Sequence, residues 1–408
     1  LDYRSRSSLG SNWATTAARF ACMCLFELPY SPIGVQVLVD DPIAYLTFRK
    51  KLGIQLGKQK RKSEIEIASL FRPLMSLNSS IGPTQGIPQR TISDTRLDAH
   101  VVDAEAAAIA AEFNQAARVV QSDSEAFASA LRECGGYLLW SARLPTGQAA
   151  LQAMLHDDSG SDQELQWKTE TYSWIGVVRR LDAIRSNVAE TADTPNIVHL
   201  LEKANDMLAS YSSGTPSGVK LQELVSEIME ATSKSRAKKK KRSRPTITVA
   251  VPSALQARLV YEALEQDWPL FDDHGNEVIQ VVRTVELFSR NAPTIARRLV
   301  VIGARAQTVA ELCSANDLPK RIDLILSAGD AERVVQRLDF VLNESVFEQL
   351  HEPVSELVAQ LKEFLESAST KFSILSNLVY WRPQTHAQAS ASPSIESAAD
   401  PDLRIQLD

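Results

Sequence analysis

From Thr246 onward the chain repeats one pattern that leaves few folds open: an apolar run of strand length followed by a helical segment. TITVAV (246–251) precedes a helix over 254–265, and VIQVVRT (278–284) precedes a short helical piece, VELFSR. RLVVIG (298–303) precedes a helix over 306–314, and RIDLILSAG (321–329) a long helix over 331–343. Strands apolar on both faces have to be buried on both faces, and strands that alternate with helices pair in parallel through crossovers. The predicted fold class is α/β: a parallel, doubly wound sheet in the C-terminal half, preceded by a mixed, mainly helical N-terminal region.

Before that repeat the organisation changes. Residues 11–28 place Trp13, Ala17, Phe20, Cys24 and Leu28 at helical spacing, VQVLVD (35–40) reads as a strand, and helices are predicted over 43–52 and 63–74. Together they make a small α/β segment, 1–77. The Ser/Gly/Pro/Thr stretch 78–94 reads as a loop and opens a mainly helical region, 78–217. There, alanine-rich residues 104–130 predict two helices broken near Ser122-Asp123, YLLW (137–140) fits a buried strand or a helix equally well, and 174–188 and 197–208 are helical. An amphipathic helix over 220–232 begins the α/β domain, 218–345; a helical extension follows over 346–382, and a Ser/Ala/Pro-rich tail, 383–408, is expected to be disordered.

Charge is unevenly spread. Lys234, Arg236, Lys238, Lys239, Lys240, Lys241, Arg242 and Arg244 carry +8 within eleven residues, whereas the whole chain carries −6, so the rest sums to −14. Such a run attracts polyanions, phosphate above all, and is equally the composition of a solvated loop or a nuclear-localisation-like run. It holds no aromatic residue, so base stacking is not expected within it. Four scattered cysteines suit a reducing compartment, and no apolar run is long enough to span a bilayer; the expected location is cytoplasmic, without membrane contact. The chain begins at Leu rather than Met, as a fragment, a processed product or an engineered sequence would, so a missing upstream region stays open.

No intact catalytic motif is present. GTPSGVK (214–220) has the composition of a phosphate-binding loop but the wrong spacing, no Ser or Thr after Lys220 and no preceding strand, so it reads as a linker. Asp272-Asp273-His274 is followed by Gly275-Asn276 and reads as a turn, and the six histidines are too far apart in sequence to suggest a metal cluster. Gly303 and Gly329 end predicted strands, where open α/β sheets bind ligands and where glycine also serves tight turns.

The order from Lys220 onward, KLQELVSEI, then TITVAVPSA, then LQARLVYEAL, resembles the second RecA-like (helicase C-terminal) domain of superfamily 2 helicases. The likeness covers about residues 218–345 and rests on pattern. In that family the last helix carries a Gln-x-x-Arg signature that reaches ATP phosphates; Gln336 and Arg337 stand on the matching helix here, without the second arginine at the family spacing. The resemblance thus implies a nucleotide-binding role for Gln336 and Arg337, with ATP and magnesium as the cofactors. The absence of a phosphate-binding loop and of a DExH/DEAD motif argues against hydrolysis by this chain, and hence for no cofactor of its own. Helicase-like proteins of this divergent sort occur in prokaryotic antiviral defence systems such as DISARM. Three functions stay open: a nucleic-acid-associated binding module without ATP hydrolysis, contacting phosphate through the basic run; an ATPase half whose partner region lies upstream, binding nucleotide near Pro252-Ser253, Gly303-Ala304 and Gly329-Asp330; and a scaffold for a protein partner.

Overall fold

The computed structural model describes residues 13–26, 35, 37, 42–58, 79–80, 94–157, 168, 170–185, 194–236, 245–265, 267–271, 277–288, 295–316 and 318–367. Two helices, α1 (Trp13–Phe26) and α2 (Pro42–Lys58), open it and pack on each other through Trp13, Ala17, Ala21, Phe48 and Leu52. Strand β1 (Arg96–Val102) follows, then five helices: α3 (Ala104–Val120), α4 (Glu125–Ala142), α5 (Gln148–Asp157), α6 (Trp174–Arg185) and α7 (Thr194–Ser210). Helix α8 (Pro216–Arg236) leads into β2 (Ile247–Val251), α9 (Ala254–Glu265), β3 (Ile279–Arg283) and the short α10 (Thr284–Leu287). The chain continues through β4 (Arg298–Ile302), α11 (Ala306–Cys313), β5 (Arg321–Ser327), α12 (Ala328–Leu342) and α13 (Glu348–Ser367).

All five strands lie in one parallel sheet, ordered β1-β5-β4-β2-β3. Strand residues alternate between its faces. Leu299, Val301, Ile322, Leu324 and Leu326 pack with Val309, Val334, Leu338 and Leu357 of α11, α12 and α13. On the other face, Val249, Val251, Val300, Ile302 and Ile325 pack with Leu221, Leu224 and Ile228 of α8 and Val260 and Leu264 of α9. Each fully buried Val, Leu or Ile contributes about 1.5–3 kcal/mol, so these two layers make the sheet's core. The helices between β1 and β2 have a core of their own, in which Tyr137 stacks at 5.8 Å from Trp174 and 5.5 Å from Trp140.

Local chemistry starts several helices. Ser124 Oγ accepts from the Phe127 amide at 3.2 Å at the start of α4, and Ser327 Oγ accepts from the Asp330 amide at 3.1 Å at the start of α12. The predicted break between two alanine-rich helices falls between Val120 and Glu125. YLLW lies inside α4, where it completes a helical apolar face. Residues 79–80, read from sequence as loop, pair in parallel with Ala315–Asn316. Val35 and Val37 show no regular structure; the rest of the strand expected at 35–40, the helices expected at 63–74 and 371–381 and the tail 383–408 lie outside the described residues.

Gly147 shows how tightly the helical layer is joined. The amides of Gln148 and Ala149 donate to the Tyr211 and Ser212 carbonyls, each at 3.0 Å, and a Cβ on Gly147 would lie 2.3 Å from the Ser212 carbonyl oxygen. Both sides of that clash are backbone, so Gly147→Ala is predicted to lower the unfolding free energy by about 2 kcal/mol. Urea denaturation followed by circular dichroism would measure it.

Candidate functional site

The topology gives the sheet two distinct ends. At the carboxyl end, the chain passes from β2 outward to β3 and then returns to β4 on the other side of β2, creating the switch point where sheets of this kind bind ligands. Here Arg143, just past the end of α4, occupies that position. Gly303 turns there with φ of +60°, and a Cβ on it would lie 3.5 Å from Pro252 and 3.7 Å from the Arg143 side chain.

Arg143 Nη2 donates to Asp330 Oδ1 at 2.8 Å, and its Nε lies 2.7 Å from Oδ2. Asp330 is only 2% exposed and also accepts from Ser327 Oγ at 2.8 Å. Nearby, Asp103 joins β1 to α3 in a left-handed conformation, φ 71°. Its Oδ1 accepts from Tyr211 Oη at 2.6 Å and from the Ala106 amide at 3.1 Å, while Oδ2 is buried without a hydrogen bond. Burial pushes the Asp103 carboxyl up to about 7, against the opposing pull of the Tyr211 and Ala106 hydrogen bonds and of Arg143. Burial and the adjacent Asp103 push the Tyr211 hydroxyl upward too. Arg143 is held at two nitrogens by the buried Asp330, with Asp103 nearby, so no exposed carboxylate there can give way to an entering phosphate.

At the amino-terminal end the chemistry is different. Arg96, Arg321 and Arg298 are direct cross-strand partners, so the first residues of β1, β5 and β4 form a row of three arginines. Asp98 and Asp323 form the next row on the same face. Arg298 Nη2 donates to Asp323 Oδ2 at 3.1 Å, Arg321 Nη2 lies 3.0 Å from Asp323 Oδ1, and His100 Nε2 lies 3.0 Å from that same oxygen. Arg321 Nε is 2.7 Å from Asp98 Oδ2, and Arg96 Nε donates to Asp98 Oδ1 at 3.0 Å. The Asp323 side chain is 0% exposed; burial alone would raise its pKa, but the His100 hydrogen bond and the two arginines outweigh that and hold it low. Arg297 and Lys320, one residue ahead of Arg298 and Arg321, are exposed.

Helix α8 runs back across this face, and Glu227 reaches the arginine row from it. Nine residues further, about 13 Å at 1.5 Å per residue, the helix ends at Arg236, and β2 begins at the same edge of the sheet. The basic run therefore departs from the amino-terminal end. Lys234 and Arg236 lie in the last turn of α8; Lys238, Lys239, Lys240, Lys241, Arg242 and Arg244 lie outside the described residues.

The remaining predicted positions fall elsewhere. Gln336 is exposed on α12, donating to Glu332 Oε1 at 3.1 Å, with Arg337 beside it; both stand about 13 Å or more along the helix from Ser327 and the carboxyl end. In GTPSGVK, Thr215 accepts from the Gly218 amide at 3.0 Å and starts α8. Asp272-Asp273-His274 lies outside the described residues, between the bridged Phe271 and Glu277. Among the described residues no group of His, Cys, Asp and Glu is placed to hold a metal, and no helix is long and apolar enough to cross a membrane. A cleft of about 330 Å³ beside the free edge of β1 is lined by Thr95, Arg96, Asp98, Glu352, Glu356 and Gln360, among others.

Strand β1 and the arginine row were missed from sequence. The signal was there: Arg-Leu-Asp at 96–98 and Arg-Ile-Asp at 321–323 open two strands that become neighbours. Fold and site together define an α/β protein with an all-parallel five-stranded sheet, closed by an ion pair at one end and arginine-rich at the other. Comparison with known proteins adds no family: no family model matches the chain, and none of the curated proteins is significantly similar to it.

Two predictions concern the carboxyl end. Asp330→Ala would remove the buried carboxylate that holds Arg143 at two nitrogens and cost about 3 kcal/mol in urea denaturation, and adding Arg143→Leu would recover part of the loss. The second concerns pH. Because the folded-state pKa of Asp103 lies above its unfolded value of 3.8, the folded chain binds the proton more tightly. That stabilisation is complete below about pH 4, declines as pH rises toward about 7, and is gone above it. Glu332, raised to about 7 by burial, adds a decline of the same sign. Asp103→Asn should therefore flatten, without abolishing, the fall in stability between pH 5 and pH 8.

Proposed function

We propose that this chain is a nucleic-acid-associated binding module that works without hydrolysing ATP itself, contacting the phosphate backbone from the amino-terminal end of its sheet. The observation that carries this reading is the gathering of basic side chains there. The run from Lys234 to Arg244 connects to the sheet at the edge where β4, β5 and β1 begin with Arg298, Arg321 and Arg96. Arginine and lysine gathered along one edge, with no aromatic surface in the basic run, suit backbone contact rather than base readout. The absence of hydrolysis is supported by the carboxyl end, where Arg143 and Asp330 fill the position a nucleotide phosphate would need.

Binding to a duplex oligonucleotide titrated against salt tests the proposal. The expected result is salt-dependent affinity whose log–log slope falls by about 3.6 when Lys238, Lys239, Lys240 and Lys241 are all changed to alanine. An unchanged slope would remove the run from the interface. Calorimetry with ATP and magnesium should show no binding heat in the same preparation.

A further inference from the structure

Three arginines side by side in one cross-strand row repel one another, and a sheet tolerates such a row only when negative charge is supplied to it. Two of the three charges needed are built in. Asp98 and Asp323 belong to the strands themselves, and Asp323 is completely buried beneath Arg298 and Arg321, holding one Nη of each. The third comes from outside the sheet. Glu227, on α8, is 57% exposed, and its Oε1 lies 3.4 Å from Arg321 Nη1 and 3.9 Å from Arg298 Nη1. Both distances exceed the roughly 2.7–2.9 Å of a charge-assisted hydrogen bond. A carboxylate at the end of a helical side chain thus faces two guanidiniums, accepts one long hydrogen bond from Arg321 and stands off Arg298.

We propose that Arg298 and Arg321 are a preset clamp for one phosphate group of a nucleic-acid backbone, and that Glu227 is its built-in competitor, standing where the phosphate binds. This rests on the function proposed above and names the structured part of that interface. The two non-bridging oxygens of a phosphodiester stand slightly further apart than those of a carboxylate, and one can accept from each guanidinium at once. With Glu227 displaced, the row and its two aspartates keep a single positive charge, matched by one phosphodiester. Asp323 fixes the arginines in advance, so little side-chain freedom is lost on binding. Exposed ion pairs contribute about 0–1 kcal/mol, so Glu227 yields at small cost. Exposed Arg297 and Lys320, one residue before Arg298 and Arg321, add positive charge at the same end of the sheet, and Glu352 and Glu356 oppose an anion across the cleft from Arg96. The phosphate is therefore expected to approach from the α8 side, where the basic run begins.

The test is the full chain with the same oligonucleotide, compared across single substitutions. Glu227→Gln should tighten binding about fivefold and steepen the salt slope by about one. Glu223→Gln removes the same charge from the same helix, where Glu223 pairs with Lys220, and should leave both quantities unchanged. Arg321→Lys keeps the charge but loses the fork, and should cancel the gain when combined with Glu227→Gln. Equal gains from Glu227→Gln and Glu223→Gln, no gain from Glu227→Gln, or a gain that survives Arg321→Lys would each overturn the clamp while leaving the basic run's role intact. Absence of salt-dependent binding by the unaltered chain would overturn the clamp and the proposed function together.

Discussion

The parallel pairing of β1 with β5 governs the placement of everything else. Because β1 runs with the other strands, the chain leaves it at the carboxyl end of the sheet, and the helices that follow have to start there, at Asp103. Because β2 also runs parallel, the chain must return to the amino-terminal end before entering it, which α8 does by crossing the sheet in the opposite sense. One pairing thus sets the helical layer at one end and delivers Glu227 and the start of the basic run to the other.

The two ends solve the same electrostatic problem differently. At the carboxyl end, a single guanidinium is shared between Asp330 and the neighbourhood of Asp103, charges are taken up within the protein, and the ligand position of such sheets is filled by a side chain. At the amino-terminal end the arginines outnumber the carboxylates of their own strands, and balance depends on an exposed glutamate from another element. In the first the compensating charge is buried; in the second it comes partly from an exposed side chain of another element. That asymmetry is the physical basis for the proposal that phosphate is contacted opposite the end where α/β sheets usually hold ligands.

Much of the sheet was legible because its strands are short, β-branched and separated by helices at regular intervals: β2, β4 and β5 fall within a residue or two of the runs read from sequence, and α9 matches residue for residue. The parallel arrangement followed from the same alternation. What escaped is non-local or charged. Arg96, Asp98 and His100 put polar residues on a strand face that covers ion pairs rather than apolar side chains, so RLDAHVV did not read as a core strand. Arg143 lies at a helix end with nothing in its neighbourhood to announce that Asp330, 187 residues later, completes it. Pairings across such distances leave no periodicity behind. The eight-charge run was visible at once, but its spatial company of arginines required the sheet order.

The edge position of β1 also bears on how the protein is made. Arg96 pairs with Arg321 across 225 residues, whereas β2, β3 and β4 meet neighbours only a few tens of residues away. Long loops close late, so the compact β2–β5 unit is placed to assemble as a nucleus and receive β1 afterwards. During synthesis the helical layer emerges before the sheet end on which Leu139 and Arg143 rest, and it must hold its own shape meanwhile. The aromatic cluster of Tyr137, Trp140 and Trp174 gives it an independent interior for that interval, making the layer a provisional domain that becomes part of a larger one when the last strand arrives.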